Sequence, residues 1–503
     1  MILTTERHAI KTEPLMEAFS AILASVDQAG RRGDGLHAVE GSIFRQLLTL
    51  GRQLLERFVG DQGSGDLGAT VRVSDERTVR RLDGLFERTY RSIFGDLTLR
   101  RTVYGTRAGQ KHELAPLDER LQLPDGAYSY LLQDWAQGFA MELSFAGVHD
   151  LLAKVLGVSV PVDSLERMNR TMAEGMPAFR ESRPAPEPAE EGAVFVVGGD
   201  GKGVPMRRAL DEVKPPPHRT KGQKANKKRM AIVGVAYSVE RHVRTADEVV
   251  AALFEDGPKP SGRRPRPCHK RLMAGLTLTD AAGVAHDGTT EVFGWLGDEL
   301  AKRNPGQVKP TVYLMDGQES LWEACWERLP PENAEEILDL MHMLPRLWEA
   351  AHIFHAEGSR EAEAFVRDRL RRVLEGESRY VRIGLRQMAT KRGLADAPTK
   401  AIDRICTYLE ANEPRLRYDV YLAAGYPIAS GVLEGACRHF VKDRMERSGM
   451  RWTPAGAQAM LDLRACWLNG DWAAYQAFHI TRETERVHPH RSFRYDVTMP
   501  LAA

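Results

Sequence analysis

Three acidic residues stand where a carboxylate could meet a ligand: Asp200 in Val194-Phe-Val-Val-Gly-Gly-Asp-Gly-Lys-Gly, Asp316 in Val312-Tyr-Leu-Met-Asp-Gly-Gln-Glu, and Glu434 in Ser430-Gly-Val-Leu-Glu-Gly-Ala-Cys. The two aspartates each follow an apolar run and precede a glycine. That pattern reads as a strand whose terminal Asp-Gly lifts a carboxylate out of the sheet edge. Converging carboxylates make a hard oxygen site suited to Mg²⁺ or Mn²⁺. Two such ions, about 3.5–4 Å apart, are a general device for cutting and joining phosphodiesters. A single Asp after a strand is ordinarily a turn residue or helix cap. Three in this order shift the balance toward a metal site.

Other motifs weigh less. The run Gly198-Gly-Asp-Gly-Lys-Gly lacks the Gly-x-x-x-x-Gly-Lys-Ser/Thr spacing and leads into Val204-Pro rather than a helix, so a nucleotide-triphosphate loop is excluded. Asp339 and His342, in Asp-Leu-Met-His after an apolar run, read as a polar core pair or as support for a site. Trp452 reads as core packing. The five cysteines are scattered with no Cys-x-x-Cys pair, which supports neither zinc nor disulfides. Net charge is only +1, so any polyanion contact must come from local clusters. One such cluster is Lys202, Arg207, Arg208, Lys214, Arg219, Lys221, Lys224, Lys227, Lys228 and Arg229, opposed by Asp211 and Glu212 alone. No secretory signal is read, and no apolar run approaches membrane-spanning length, so a reduced cytoplasmic protein is expected.

The elements that would position these groups change along the chain. Helix-like spacing fills residues 1–95, as in Ile43-Phe-Arg-Gln-Leu-Leu-Thr-Leu-Gly-Arg-Gln-Leu-Leu-Glu-Arg-Phe. A β-hairpin is expected from Leu97 to Leu114, turning around Gly105 to Gly109. A helix over 145–156, a turn at Gly157 and a second helix exposing Arg167, Asn169 and Arg170 fit either a helical hairpin or a helix-turn-helix. The Pro/Glu-rich stretch 181–192 reads as a linker. Beyond it the pattern becomes α/β, with strands at 194–197, 230–239, 311–315 and 337–342. Residues 360–424 read as helical throughout, and Glu434 to Arg447 and Ala455 to Trp467 read as helices.

Four blocks together carry a family resemblance: Asp-Gly-Lys-Gly-Val-Pro-Met (200–206), Leu-Met-Asp-Gly-Gln-Glu-Ser-Leu-Trp (314–322), Ile-Leu-Asp-Leu-Met-His (337–342) and the run from Ser430 to Trp452. They resemble the DDE transposases of bacterial insertion sequences, in the Kra-type family related to the Mutator-like branch. The resemblance implies an α/β, RNase H-like catalytic domain with a mixed sheet and a helical insertion before the last acidic residue, joined to a mainly α N-terminal DNA-binding region. The corresponding boundaries are 1–95 helical, 96–180 hairpin plus helix-turn-helix-like region, 181–192 linker, 193–350 first part of the catalytic core, 351–425 insertion, 426–480 last part of the core, and 481–503 tail.

By motif, Asp200, Asp316 and Glu434 match the catalytic triad and would hold two Mg²⁺ (or Mn²⁺) ions. Asp339 and His342 match the Asp-x-x-His signature, with His342 serving catalysis and Asp339 and Trp452 in support. Lys202, Arg207, Arg208, Lys224, Lys227, Lys228, Arg229, Arg438, Lys442 and Arg444 are the expected DNA-backbone contacts, with Arg167 and Arg170 in the N-terminal region. Where relatives often carry cysteines, the 102–111 stretch has none, so no zinc is expected. The implied partners are double-stranded DNA, as terminal inverted repeats and target, and a second copy of the chain in a homodimer or higher oligomer; no membrane is involved. The protein would be cytoplasmic, on the nucleoid when bound to DNA. The alternatives are an RNase H-fold nuclease without strand transfer and a domesticated DNA-binding protein that no longer cuts.

Overall fold

The computed structural model describes residues 13–74, 77–106, 112–207, 228–254, 264–279 and 283–491. They belong to two compact units, one drawn from residues before 176 and after 472, the other from 176–472.

The second unit is built on a mixed five-stranded sheet. Its strands β1 (Val194–Pro205), β2 (Lys228–Val239), β3 (Cys268–Leu276), β4 (Thr311–Met315) and β5 (Ala334–Leu338) lie in the order β5-β4-β1-β2-β3. β1, β2 and β3 are antiparallel neighbours, while β4 and β5 run parallel to β1. Parallel strands covered on both faces are continuously apolar rather than alternating, and Thr311–Met315 is buried at every position. Helix α1 (Gly288–Arg303) lays Val292, Phe293, Leu296 and Leu300 against Phe195, Val197, Ile232 and Tyr313, and α2 (Glu319–Arg328) adds Leu321, Trp322 and Cys325 to the same core.

After β5 come α3 (Leu340–Phe354) and four helices without a strand, α4 (Arg360–Leu374), α5 (Ser378–Lys391), α6 (Asp396–Ala411) and α7 (Tyr418–Ala424). The Tyr418 hydroxyl donates to Leu338 O at 2.7 Å, that of Tyr421 donates to Glu336 O at 3.0 Å, and Arg415 pairs with Glu336 at 2.9 Å. These bonds fasten the helical segment along β5. The chain returns through α8 (Gly431–Ala436), a π-helical turn over Cys437–Lys442, and α9 (Pro454–Leu468). The opposite edge is covered as well. Gln458 accepts from Leu276 N at 2.8 Å and donates to Ala274 O at 2.9 Å, and Asn469 pairs with both backbone groups of Leu272. Side-chain amides thus satisfy an edge that would otherwise invite another strand.

The first unit differs from the all-helical expectation for 1–95. Helices Glu13–Arg32 and Leu36–Asp61 are followed by strands at Thr70–Ser74, Arg77–Arg81, Phe86–Ser92 and Gly95–Arg101. Their inward residues Val71, Val73 and Val79 alternate with arginines and threonines, the period of a half-buried strand. Gly95–Arg101 pairs upstream with Phe86–Ser92, not downstream. Among the described residues, the antiparallel contact between Tyr104 and Leu114 matches the expected hairpin. Helices Phe145–Leu156 and Val162–Ala173 are joined through Gly157, which takes φ 69°. Asn169, expected to be exposed, is buried and donates to Gln137 Oε1 at 2.9 Å. The stretch from 481 begins inside a helix, Trp472–Val487, rather than a tail.

Residues 181–192 do not behave as a linker at their far end. Glu191 is buried beneath the sheet, where Arg303 reaches it at 2.7 and 3.0 Å and the Ser238 hydroxyl donates to it. Arg303 also faces Glu299, which takes a two-point bond from Arg271 at 3.0 and 3.1 Å. A buried charge must be paired and hydrogen-bonded, so this network pins the strand entrance to β1. Removing one partner strands the other charge. Glu191→Gln is expected to destabilise the sheet unit by about 3 kcal/mol, read as a lowered denaturant midpoint for the transition that reports Trp322; an unchanged midpoint contradicts the pinning role.

Candidate functional site

Register brings three aspartates into a row. Asp200 and Asp316 each stand three positions past the last paired residues, Val197 and Tyr313. Asp339 stands one past Leu338, as Asp316 stands one past its partner Met315. Equal positions on parallel neighbours share a face, with strands about 4.8 Å apart. The row therefore crosses β5, β4 and β1 where the parallel strands β4 and β5 end, the usual side for ligands in α/β sheets. Asp200 is not at a strand end, as the sequence suggested. β1 continues to Pro205 against β2, and Asp200 sits mid-strand opposite Val233. Close approach maintains the alignment, since a Cβ at Gly198 would stand 2.5 Å from Leu314 O.

Asp339 is the most constrained of the three. It begins α3 as N-cap, fully buried, and is not the strand residue the apolar run suggested. It accepts from Met341 N at 3.0 Å, from Ser430 N at 3.0 Å, from the Ser430 hydroxyl, and from His342 Nδ1 at 2.8 Å. Burial works to raise its pKa, but the bonds from His342, Ser430 and Met341 outweigh that and hold the carboxyl below its ordinary range. The Asp339 hydrogen bond in turn raises His342 to about 9, against burial and with help from the charges of Asp339, Asp316 and Asp200. Ser430 gave no signal in the sequence as the partner of Asp339, although it lies in the same block as Glu434.

Glu434 enters from α8, four residues after Ser430. Its donor atom lies within 4.8 Å of those of Asp339 and His342. Burial first, then the charges of Asp339 and Asp200, push Glu434 upward, while His342 opposes. Asp316 is likewise raised by burial and by Asp200 and Asp339, although it accepts Gln318 N at 2.9 Å and feels His342. Cys437 lies beside Asp200; burial and then that carboxylate push its thiol upward, so it stays neutral.

The donor chemistry separates ligands from supports. His342 is held as an imidazolium, whose two nitrogens are both donors, so it offers no lone pair to a metal. Asp339 spends its oxygens on four protein donors. Asp200 acts electrostatically on both Asp316 and Glu434, while the group whose potential ligand atoms lie within 4.8 Å of one another is Asp339, His342 and Glu434.

The expected DNA contacts fare unevenly. Lys202 lies two positions after Asp200 on β1, hence on the same face, and its charge acts on Cys437. Arg207, Arg438 and Lys442 are exposed. Lys228 pairs with Glu446, and Arg229 donates to Thr277 O at 3.1 Å. Arg208, Lys224 and Lys227 lie outside the described residues. Arg444 is a correction: it is 1% exposed, with its guanidinium 5.0 Å over the Trp452 ring, and so belongs to the core rather than a DNA surface. Trp452 itself is buried and donates to Met445 O at 3.0 Å. Arg167 and Arg170 are exposed on their helix, Arg170 4.0 Å from Glu166.

No protein-family model and no curated protein matches the sequence, so the family resemblance rests on the quoted motifs alone. Among solved structures, the Drosophila P element transposase strand transfer complex aligns with 73% of this chain and 88% of its own, at 9% identity and a TM-score of 0.22. Among the described residues no helix is long and apolar enough to cross a membrane.

His342 supplies a direct check on the electrostatics. Its folded pKa, about 9, lies above the ordinary value of 6.5. Its stabilising contribution is therefore complete below pH 6.5 and lost as pH rises through 9. In EDTA, the His342 imidazole should titrate near 9 by NMR, and Asp339→Asn should move that midpoint down toward 6.5. A wild-type midpoint near 6.5 contradicts the pairing.

Proposed function

We propose that the chain is a DDE-type DNA transposase whose catalytic domain is RNase H-like, with Asp200, Asp316 and Glu434 holding two divalent ions. The observation that carries this is the placement of Asp200 and Asp316 at matching register on adjacent parallel strands, with Glu434 electrostatically coupled to Asp200. The sheet supports the reading: three antiparallel strands followed by two parallel ones, the first strand central, is the arrangement expected of an RNase H-like core. The strand-free helices α4 to α7 fall between α3 and the segment carrying Glu434, as such an insertion would.

Bound Mg²⁺ or Mn²⁺ would supply Lewis acidity and a water of lowered pKa at the scissile phosphodiester. Asp200, on the central strand and acting on both Asp316 and Glu434, would be among the residues that hold the ions. His342, oriented through Nδ1 by Asp339, keeps its second N–H for a phosphate oxygen, where a positive donor stabilises developing charge. Lys202, Arg438 and Lys442 would hold the DNA backbone without reading sequence. Arg167 and Arg170, on the second helix of the Gly157-joined pair, would serve recognition of the transposon end.

Asp316→Asn removes charge at nearly constant shape. It is expected to keep the fold and binding to a duplex of transposon-end sequence. Nicking and joining in Mg²⁺ should fall by on the order of 10³-fold or more, the scale of losing a group that stabilises transition-state charge. Normal nicking by this variant contradicts the triad. Nicking by the wild type without joining to target would instead identify a nuclease.

A further inference from the structure

We propose that Arg346, held against Tyr408 of the helical insertion, forms a second phosphate-binding position beside the carboxylates, taking a backbone phosphate of the bound strand adjacent to the one being cut. The proposal rests on the DNA-cleaving reading above and adds a substrate contact to it.

Arg346 follows His342 by four residues on α3, which puts both on one helix face with Cβ atoms about 5–6 Å apart. The two cations therefore project side by side from the helix that Asp339 caps. Arg346 is 47% exposed, so its guanidinium is open to a ligand. It is not loose, because its guanidinium carbon lies 5.1 Å from the centre of the Tyr408 ring. Tyr408, on α6, presses against the turn that follows Asp316: a Cβ at Gly317 would stand 2.5 Å from Tyr408 Cε2 and 2.8 Å from its hydroxyl. The phenol lies in the field of the site, its pKa raised to about 12 by burial and by Asp316 and Asp339, with Arg346 opposing. Tyr408 thus brings the insertion against the turn after Asp316 and packs on Arg346.

Arg346 has a carboxylate neighbour in Glu349 at 3.3 Å, but both side chains are half-exposed. Such a surface pair contributes only about 0–1 kcal/mol, so a phosphate can take its place. Guanidinium binds phosphate through two parallel N–H bonds and stacks on aromatic rings at the same time.

The test measures binding by fluorescence anisotropy to the terminal-repeat duplex, with Ca²⁺ in place of Mg²⁺ to prevent turnover. A set of duplexes each carries one neutral methylphosphonate, stepped along the strand around the cleavage position. Arg346→Gln should weaken binding to the unmodified duplex about tenfold. At one position the methylphosphonate should weaken wild type by the same factor and leave Arg346→Gln unchanged. Tyr408→Ala should follow Arg346→Gln, whereas Tyr408→Phe, which keeps the ring, should follow wild type. Thermal melting confirms that each variant is folded. If every methylphosphonate penalises wild type and Arg346→Gln equally, the phosphate contact is overturned. That result is distinct from failure of the functional reading, which would appear as wild-type protein that binds but never cuts.

Discussion

A carboxylate taken out of water must find all its hydrogen bonds inside the protein, and at Asp339 that requirement joins three parts of the chain. Its own backbone N–H bonds to Met315 O at 2.8 Å, tying it to the strand that delivers Asp316. Its side chain caps α3 and so orients His342. It also receives Ser430, 91 residues later, where the chain returns from the insertion to present Glu434. The neighbouring Leu340 N to Ile428 O bond, at 2.9 Å, closes the same joint. Glu434 comes from a short helix after a long excursion, and this joint is what gives it a fixed address.

The electrostatics follow from that geometry. Three of the carboxylates in this region divide into two kinds. Asp339 is satisfied by protein donors and stays ionised, whereas Asp316 and Glu434 are pushed upward by burial and by their neighbours. His342 is a cation in direct contact with the group, hydrogen-bonded to Asp339. Under the proposed function, the remaining negative charge would favour bound divalent cations. Under the proposed function, Lys202, Arg438 and Lys442 would offset the repulsion between these carboxylates and DNA.

The parts of this arrangement that obey local rules were legible in the sequence. Apolar runs ending at Met315, the helix from 145 to 156 and the helical stretch from 360 to 424 all appear as read. The carboxylates Asp200, Asp316 and Glu434 drew attention because each sits in a small-residue setting within a recognisable block. What failed depended on partners distant in sequence. Asp200 is mid-strand because β2 extends β1 beyond the short β4. Glu191 looked like linker because its Arg303 partner lies 112 residues away. Arg444 looked like a basic surface residue, and only the Trp452 ring reveals it as core. The strands between 70 and 101 were hidden by arginines on their outer face. Arg346 was detectable as the residue four after His342, whereas nothing local marks Tyr408.

The most direct measurement is a crystal structure of the protein soaked in Mn²⁺, with anomalous scattering used to locate the ions. The expected result is density within coordination distance of the carboxylate oxygens of Asp200, Asp316 and Glu434, with Asp339 and His342 still bonded to each other and bare of metal. Ions bound instead by Asp339 and His342, or a pocket in which Asp200 and Asp316 share no ion, would contradict it.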